Sequence, residues 1–75
     1  MKIQTHDWKW FEGSPAEIVQ QLANRDHESA CASQYPWRVK SRHEALTGRR
    51  IEFADFESFL YALRREGLII TIIEE

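Results

Sequence analysis

A chain of 75 residues has room for one hydrophobic core and no second domain, and at this size folding hides only about 60 per cent of the surface the unfolded chain exposes. Hydrophobic residues at 43% and charged residues at 29% are ordinary globular values that exclude a disordered chain, and the lone Cys31 excludes an intrachain disulfide. Residues 1–11 lack the apolar run of a signal peptide, and nowhere do about eighteen apolar residues stand together to span a membrane, so a soluble, cytoplasmic domain is expected.

In chain order, Trp8 and Trp10 alternate with Lys9 and Phe11, which predicts a strand over roughly Trp8 to Phe11 with both tryptophans on one side. Gly13-Ser14-Pro15-Ala16-Glu17 then marks a helix start. Ser14 caps it, Glu17 reaches back to close a capping box, and Pro15 occupies the first helical position, where its missing N–H costs nothing. Ile18, Val19, Leu22 and Ala23 form the apolar stripe, and the helix is expected to end between Asp26 and Ala32. A second helix carries Pro36 in its first turn, with Ser33 or Gln34 as cap. Tyr35, Val39, His43 and Leu46 make its buried face, and Gly48 stops it.

Arg49 to Phe53 reads as a half-buried strand, because Ile51 and Phe53 alternate with Arg50 and Glu52. Asp55 caps a third helix whose Phe56, Phe59, Leu60 and Leu63 share one face. Arg64 and Arg65 complement its dipole, and Gly67 with Leu68 provides a left-handed ending. Leu68 to Ile73 is apolar on both faces, as suits a central strand. The expected fold is α+β in the order β-α-α-β-α-β, three helices on a small three-stranded sheet, in a single domain over residues 1–75.

Chemistry-bearing clusters are sparse. His27-x-x-x-Cys31 is the only metal-like spacing, and no second pair accompanies it, so no metal and no cofactor are expected. Cys31 as a nucleophile would need a histidine base, and a lone cysteine is the ordinary mark of a small buried residue. Gly13, Gly48 and Gly67 are each explained by a turn rather than by a phosphate loop. A chain so short is also poorly able to enclose a pocket of several hundred Å3 (roughly the size of a ligand site) beside its core. No catalytic residues are assigned, and enzymatic activity is not expected. His43 fits a boundary histidine held by a hydrogen bond, and Trp8 and Trp10 fit core packing better than a base-stacking platform.

Charge is uneven. Arg38, Lys40, Arg42, Arg49 and Arg50 stand against Glu44 alone, leaving a local +4 in a chain of net charge −2. Nucleic-acid binding through Arg38, Arg42, Arg49 and Arg50 is the alternative reading. The favoured one is a protein–protein interaction module, with a homodimer as one form of it. Three helices cover one sheet face, and Ile69, Thr71 and Ile73 on the other need a protein partner or a second copy. No membrane partner is expected.

Trp10-Phe11-Glu12-Gly13-Ser14-Pro15-Ala16-Glu17-Ile18-Val19 resembles the W-x-F-x-G-x-(T/S)-P-x-E-I-V opening of small uncharacterised bacterial and prophage-type proteins, with Trp10 and Phe11 adjacent here. Tyr35, Val39, Thr47-Gly48 and Phe59-Leu60-x-x-Leu63-x-x-x-Gly67-Leu68-Ile69 are similar to later parts of that pattern. The resemblance implies a group of proteins of unknown function and assigns no catalytic residue.

Overall fold

The computed structural model describes residues 1–25 and 33–74. Its elements are β1 (Lys2–Thr5), β2 (Trp10–Glu12), α1 (Pro15–Arg25), α2 (Tyr35–Thr47), α3 (Phe56–Arg65) and β3 (Ile69–Ile73). The fold is α+β, three helices and a three-stranded antiparallel sheet, but the order is β-β-α-α-α-β and the sheet runs β2-β1-β3. β1 therefore lies in the middle. The apolar β3, expected to be central, is an edge strand.

The expected strand at Trp8 to Phe11 is in fact the second arm of a hairpin. β1 and β2 pair through Lys2–Glu12, Ile3–Phe11 and Gln4–Trp10, and His6, Asp7 and Trp8 form the loop. Its closure rests on Thr5 N–H donating to Lys9 C=O at 2.9 Å and Trp8 N–H donating to Thr5 C=O at 3.0 Å. Trp8 has φ 68°, the left-handed position that commonly ends a three-residue hairpin loop. With tryptophan there instead of glycine, no turn signal is visible in the sequence.

Arg49 to Phe53 is not a strand. Ile51 is buried, but its backbone is claimed by α2 side chains. Lys40 Nζ donates to Ile51 C=O at 2.7 Å, and Ile51 N–H donates to Glu44 Oε2 at 3.2 Å. Lys40 and Glu44 are themselves joined at 2.6 Å. With donor and acceptor both satisfied, the segment has no need of a neighbouring strand.

The helices begin and end for the reasons their sequences state. Glu17 N–H donates to Ser14 Oγ and Ser14 N–H to Glu17 Oε1, each at 3.2 Å, closing the capping box of α1. Asp55 accepts from Ser58 N–H at 2.8 Å, and Ser58 Oγ accepts from Asp55 N–H at 2.9 Å. α3 ends with Gly67 at φ 81°, where Leu68 N–H reaches Leu63 C=O at 2.9 Å and Gly67 N–H reaches Arg64 C=O at 3.1 Å, a Schellman ending. The end of α1 expected between Asp26 and Ala32 lies outside the described residues.

α1 and α3 pack on one another and cover one face of the sheet, α1 nearest β2 and α3 nearest β3. Between them lie Ile3, Ile18, Val19, Leu22, Ile51, Phe59, Leu60, Leu63 and Ile69, all nearly or fully buried. Phe59 is the hub, with Tyr35 edge-on at 6.2 Å and Phe53 at 5.2 Å. α2 leans on α1 rather than on the sheet and buries only Pro36 completely. Leu46, expected on its buried face, is 80% exposed. Among the described residues no helix is long and apolar enough to cross a membrane.

Gly67 offers a clean test of the α3 ending, since a Cβ there would meet nothing within 4 Å and only the backbone conformation is at issue. Gly67→Ala should cost about 1–2 kcal/mol, read as a lower denaturant midpoint with an unchanged slope.

Candidate interaction surface

Residues directly opposite one another in an antiparallel ladder point to the same side. Ile3 is in the core, so its neighbours Phe11 and Ile72 point there too. The other side carries two rows across the sheet: Glu12, Lys2 and Ile73, then Trp10, Gln4 and Thr71. This face has no helix on it among the described residues. Trp10 is 51% exposed and Ile73 41%, while Lys2 and Glu12 form a loose pair at 3.9 Å.

Of the expected interface residues Ile69, Thr71 and Ile73, the last two lie on this open face and Ile69 does not. A register shift between Gln4 and Thr5 pairs Thr5 with Ile69 and leaves Ile70 as an extra residue. One added residue reverses the alternation, so Ile69 and Ile72 both turn to the core and Ile69 is 2% exposed. Strict alternation along Leu68 to Ile73 could not reveal that. Ile70, at the bulge, is 41% exposed.

Core packing for Trp8 and Trp10 is overturned. Trp8 is 71% exposed, Trp10 51% and Trp37 61%, so every tryptophan of the chain stands at the surface. Aliphatic residues and Phe59 fill the core instead. Trp37 could have been singled out in the sequence, because it falls outside the Tyr35–Val39–His43–Leu46 spacing.

The basic segment is divided. Arg38 and Arg42 flank Ser41 on the outer side of α2, next to Trp37, whose ring also leans on Phe53 at 5.2 Å. Arg49 is drawn away: its Nε meets Glu66 Oε1 at 2.8 Å, the same oxygen that faces His43 Nε2 at 2.9 Å. The Glu66 carboxyl consequently titrates below its ordinary range, chiefly through the bond to His43. This cluster ties α2 to the end of α3. Arg50 is exposed and close enough to Glu44 to help hold that carboxyl low, behind the larger effect of Lys40.

An open cleft of about 530 Å3 lies between α2 and the start of the hairpin loop, larger than expected for so short a chain. Leu22, Val39, Leu63 and Ile69 form its apolar floor, with His6 and His43 at its rim. The polar groups there are already engaged. His43 faces Glu66, the Thr5 hydroxyl donates to Asp7 Oδ1, and Asp7 Oδ2 accepts from Arg25 at 2.6 Å. Among the described residues no group of three or more His, Cys, Asp or Glu is placed to hold a metal ion. His27 and Cys31 lie outside the described residues.

The chain matches no protein-family model, no curated protein and no solved structure.

Two outcomes follow from the hairpin. An exposed tryptophan in the left-handed region is strained by about 1–2 kcal/mol, so Trp8→Gly should raise stability by up to about 1 kcal/mol after the added flexibility of glycine; a marked drop in the denaturation midpoint would show Trp8 to be a packing residue after all. The Asp7 carboxyl is lowered from 3.8 to about 2 by the Thr5 hydroxyl and then by Arg25. A depressed folded-state pKa contributes stability above the ordinary value that is lost as pH falls through the folded value. The stability gap between wild type and Asp7→Asn should therefore be full above about pH 4 and close progressively towards pH 2, as followed by denaturant titrations at each pH.

Proposed function

We propose that this domain is a non-enzymatic protein–protein interaction module of the cytoplasm, docking a polypeptide on the open sheet face around Trp10, Thr71 and Ile73. The observation that carries the reading is the placement of the tryptophans. All three are more than half exposed in a domain small enough to need its aromatics inside. Tryptophan is the residue most enriched among those that dominate binding energies, and burial of such an anchor is commonly worth 2 kcal/mol or more, as an order-of-magnitude figure. Trp10 and Ile73 lie on the two outer strands of one face, with Gln4 on the strand between them and Thr71 beside Ile73 as polar partners. The engaged polar groups around the cleft favour recognition over turnover.

A second reading has its own support on α2. Trp37 beside Arg38 and Arg42 combines a stacking surface with cations, the pairing used for single-stranded nucleic acids.

Selection of a displayed random-peptide library against the full chain separates the two. The interaction reading expects binders that are lost on Trp10→Ser or Ile73→Ser and retained on Arg38→Ala. An absence of binders, or binders indifferent to the open face, would count against it. Salt-sensitive binding of oligonucleotides abolished by Arg38→Ala and Arg42→Ala would put the second reading in its place.

A further inference from the structure

The outer edge of β3 is unpaired among the described residues. On β1, Thr5 turns its N–H towards Lys9 on the β2 side, whereas His6 N–H donates to Leu68 C=O on the β3 side at 3.2 Å. Backbone directions alternate along a strand, so Lys2 and Gln4 serve β3, and their partners Ile73 and Thr71 turn their backbone groups inward. Ile72 between them directs its N–H and C=O to the free edge. An apolar edge strand with no proline or lysine on it is a template for another strand.

Beside that edge stands one side of α3. Phe59 and Ala62 are buried on one side of α3, and Glu57, Tyr61 and Arg64, at i, i+4 and i+7, share the other, where Glu57 and Arg64 are exposed. α3 packs on β3, the edge strand, and α1 packs against α3 from the β2 side, so this exposed side looks out past the β3 edge. Read from either end, the row has a tyrosine in the middle and opposite charges at its ends. Set antiparallel against itself, it brings Glu57 to Arg64 twice and Tyr61 to Tyr61. That is the self-complementarity a two-fold axis requires.

We infer that the partner is a second copy of this chain, joined by antiparallel pairing of β3 with β3 about Ile72 and by the Glu57–Tyr61–Arg64 row of each α3. Pairing about Ile72 sets Thr71 against Ile73 of the second copy on the open face, which makes the two open faces continuous. It also sets each Glu74 opposite Ile70, so the two Glu74 carboxylates stay apart. The inference rests on the interaction-module reading above and extends it from the open face to the adjoining edge, where the partner is a second copy.

Sedimentation of the full chain over a range of concentrations tests it. A monomer–dimer equilibrium is expected, weakened by salt because ion pairs at its rim are screened. Glu57→Arg and Arg64→Glu should each raise the dissociation constant about tenfold, from the loss of two symmetric surface pairs, and the double reversal should return it towards the wild-type value. Both positions are exposed, but each reversal opposes the α3 dipole, so an unchanged denaturation midpoint must accompany the weaker association. A monomer at every concentration, or a dimer indifferent to both reversals, overturns the inference. A monomer that still yields peptides bound at Trp10 and Ile73 overturns only the dimer. A monomer that yields none overturns the interaction reading as well.

Discussion

β1 holds this fold together, because β2 and β3 each pair with it and not with each other. A strand of four residues, Lys2–Thr5, must therefore supply backbone partners on both sides and core side chains on one. Ile3 sits at the crossing point, fully buried between Phe11 and Ile72. The helices depend on that crossing. α1 and α3 can lie side by side on the sheet only while β1 keeps the strands beneath them in register, and burying one aliphatic side chain such as Ile3 is worth about 1.5–3 kcal/mol in a domain with little to spare.

The same economy explains why α2 is attached as it is. The sheet offers no third helix position on its covered face, so α2 rests against α1 and reaches the remainder through polar bonds. Lys40 and Glu44 capture the backbone of Ile51, and His43 meets Glu66 at the end of α3. These bonds let Ile51 enter the core without a strand around it. They also leave Trp37 on the outer side of α2 in solvent, and Leu46 on the opposite side near its end.

Among the described residues the helices lie on one side of the sheet only, which leaves the opposite face and the β3 edge uncovered. The bulge at Ile70 shapes both: it turns Ile69 inward to the core and keeps Thr71 and Ile73 outside. An apolar strand is thereby divided between the core and the surface.

Local chemistry determined a good part of this from the residues alone. The Ser14–Glu17 and Asp55 caps, the α3 stripe and the Gly67 ending involve partners no more than seven residues apart, so spacing suffices to read them. The strands were less legible. Trp8 hides the hairpin loop by occupying a position that glycine usually marks, and Lys2–Thr5 is too short for its alternation to stand out. Arg49 to Phe53 has the alternation of a strand, yet its backbone partners are side chains on α2 that no periodicity can indicate. Which strand is central, which face of β3 is inside and where the tryptophans stand depend on pairings made across the whole chain. Those were decided only by the tertiary structure, because a strand's neighbours and the parity of its side chains are properties of its partners as much as of its own residues.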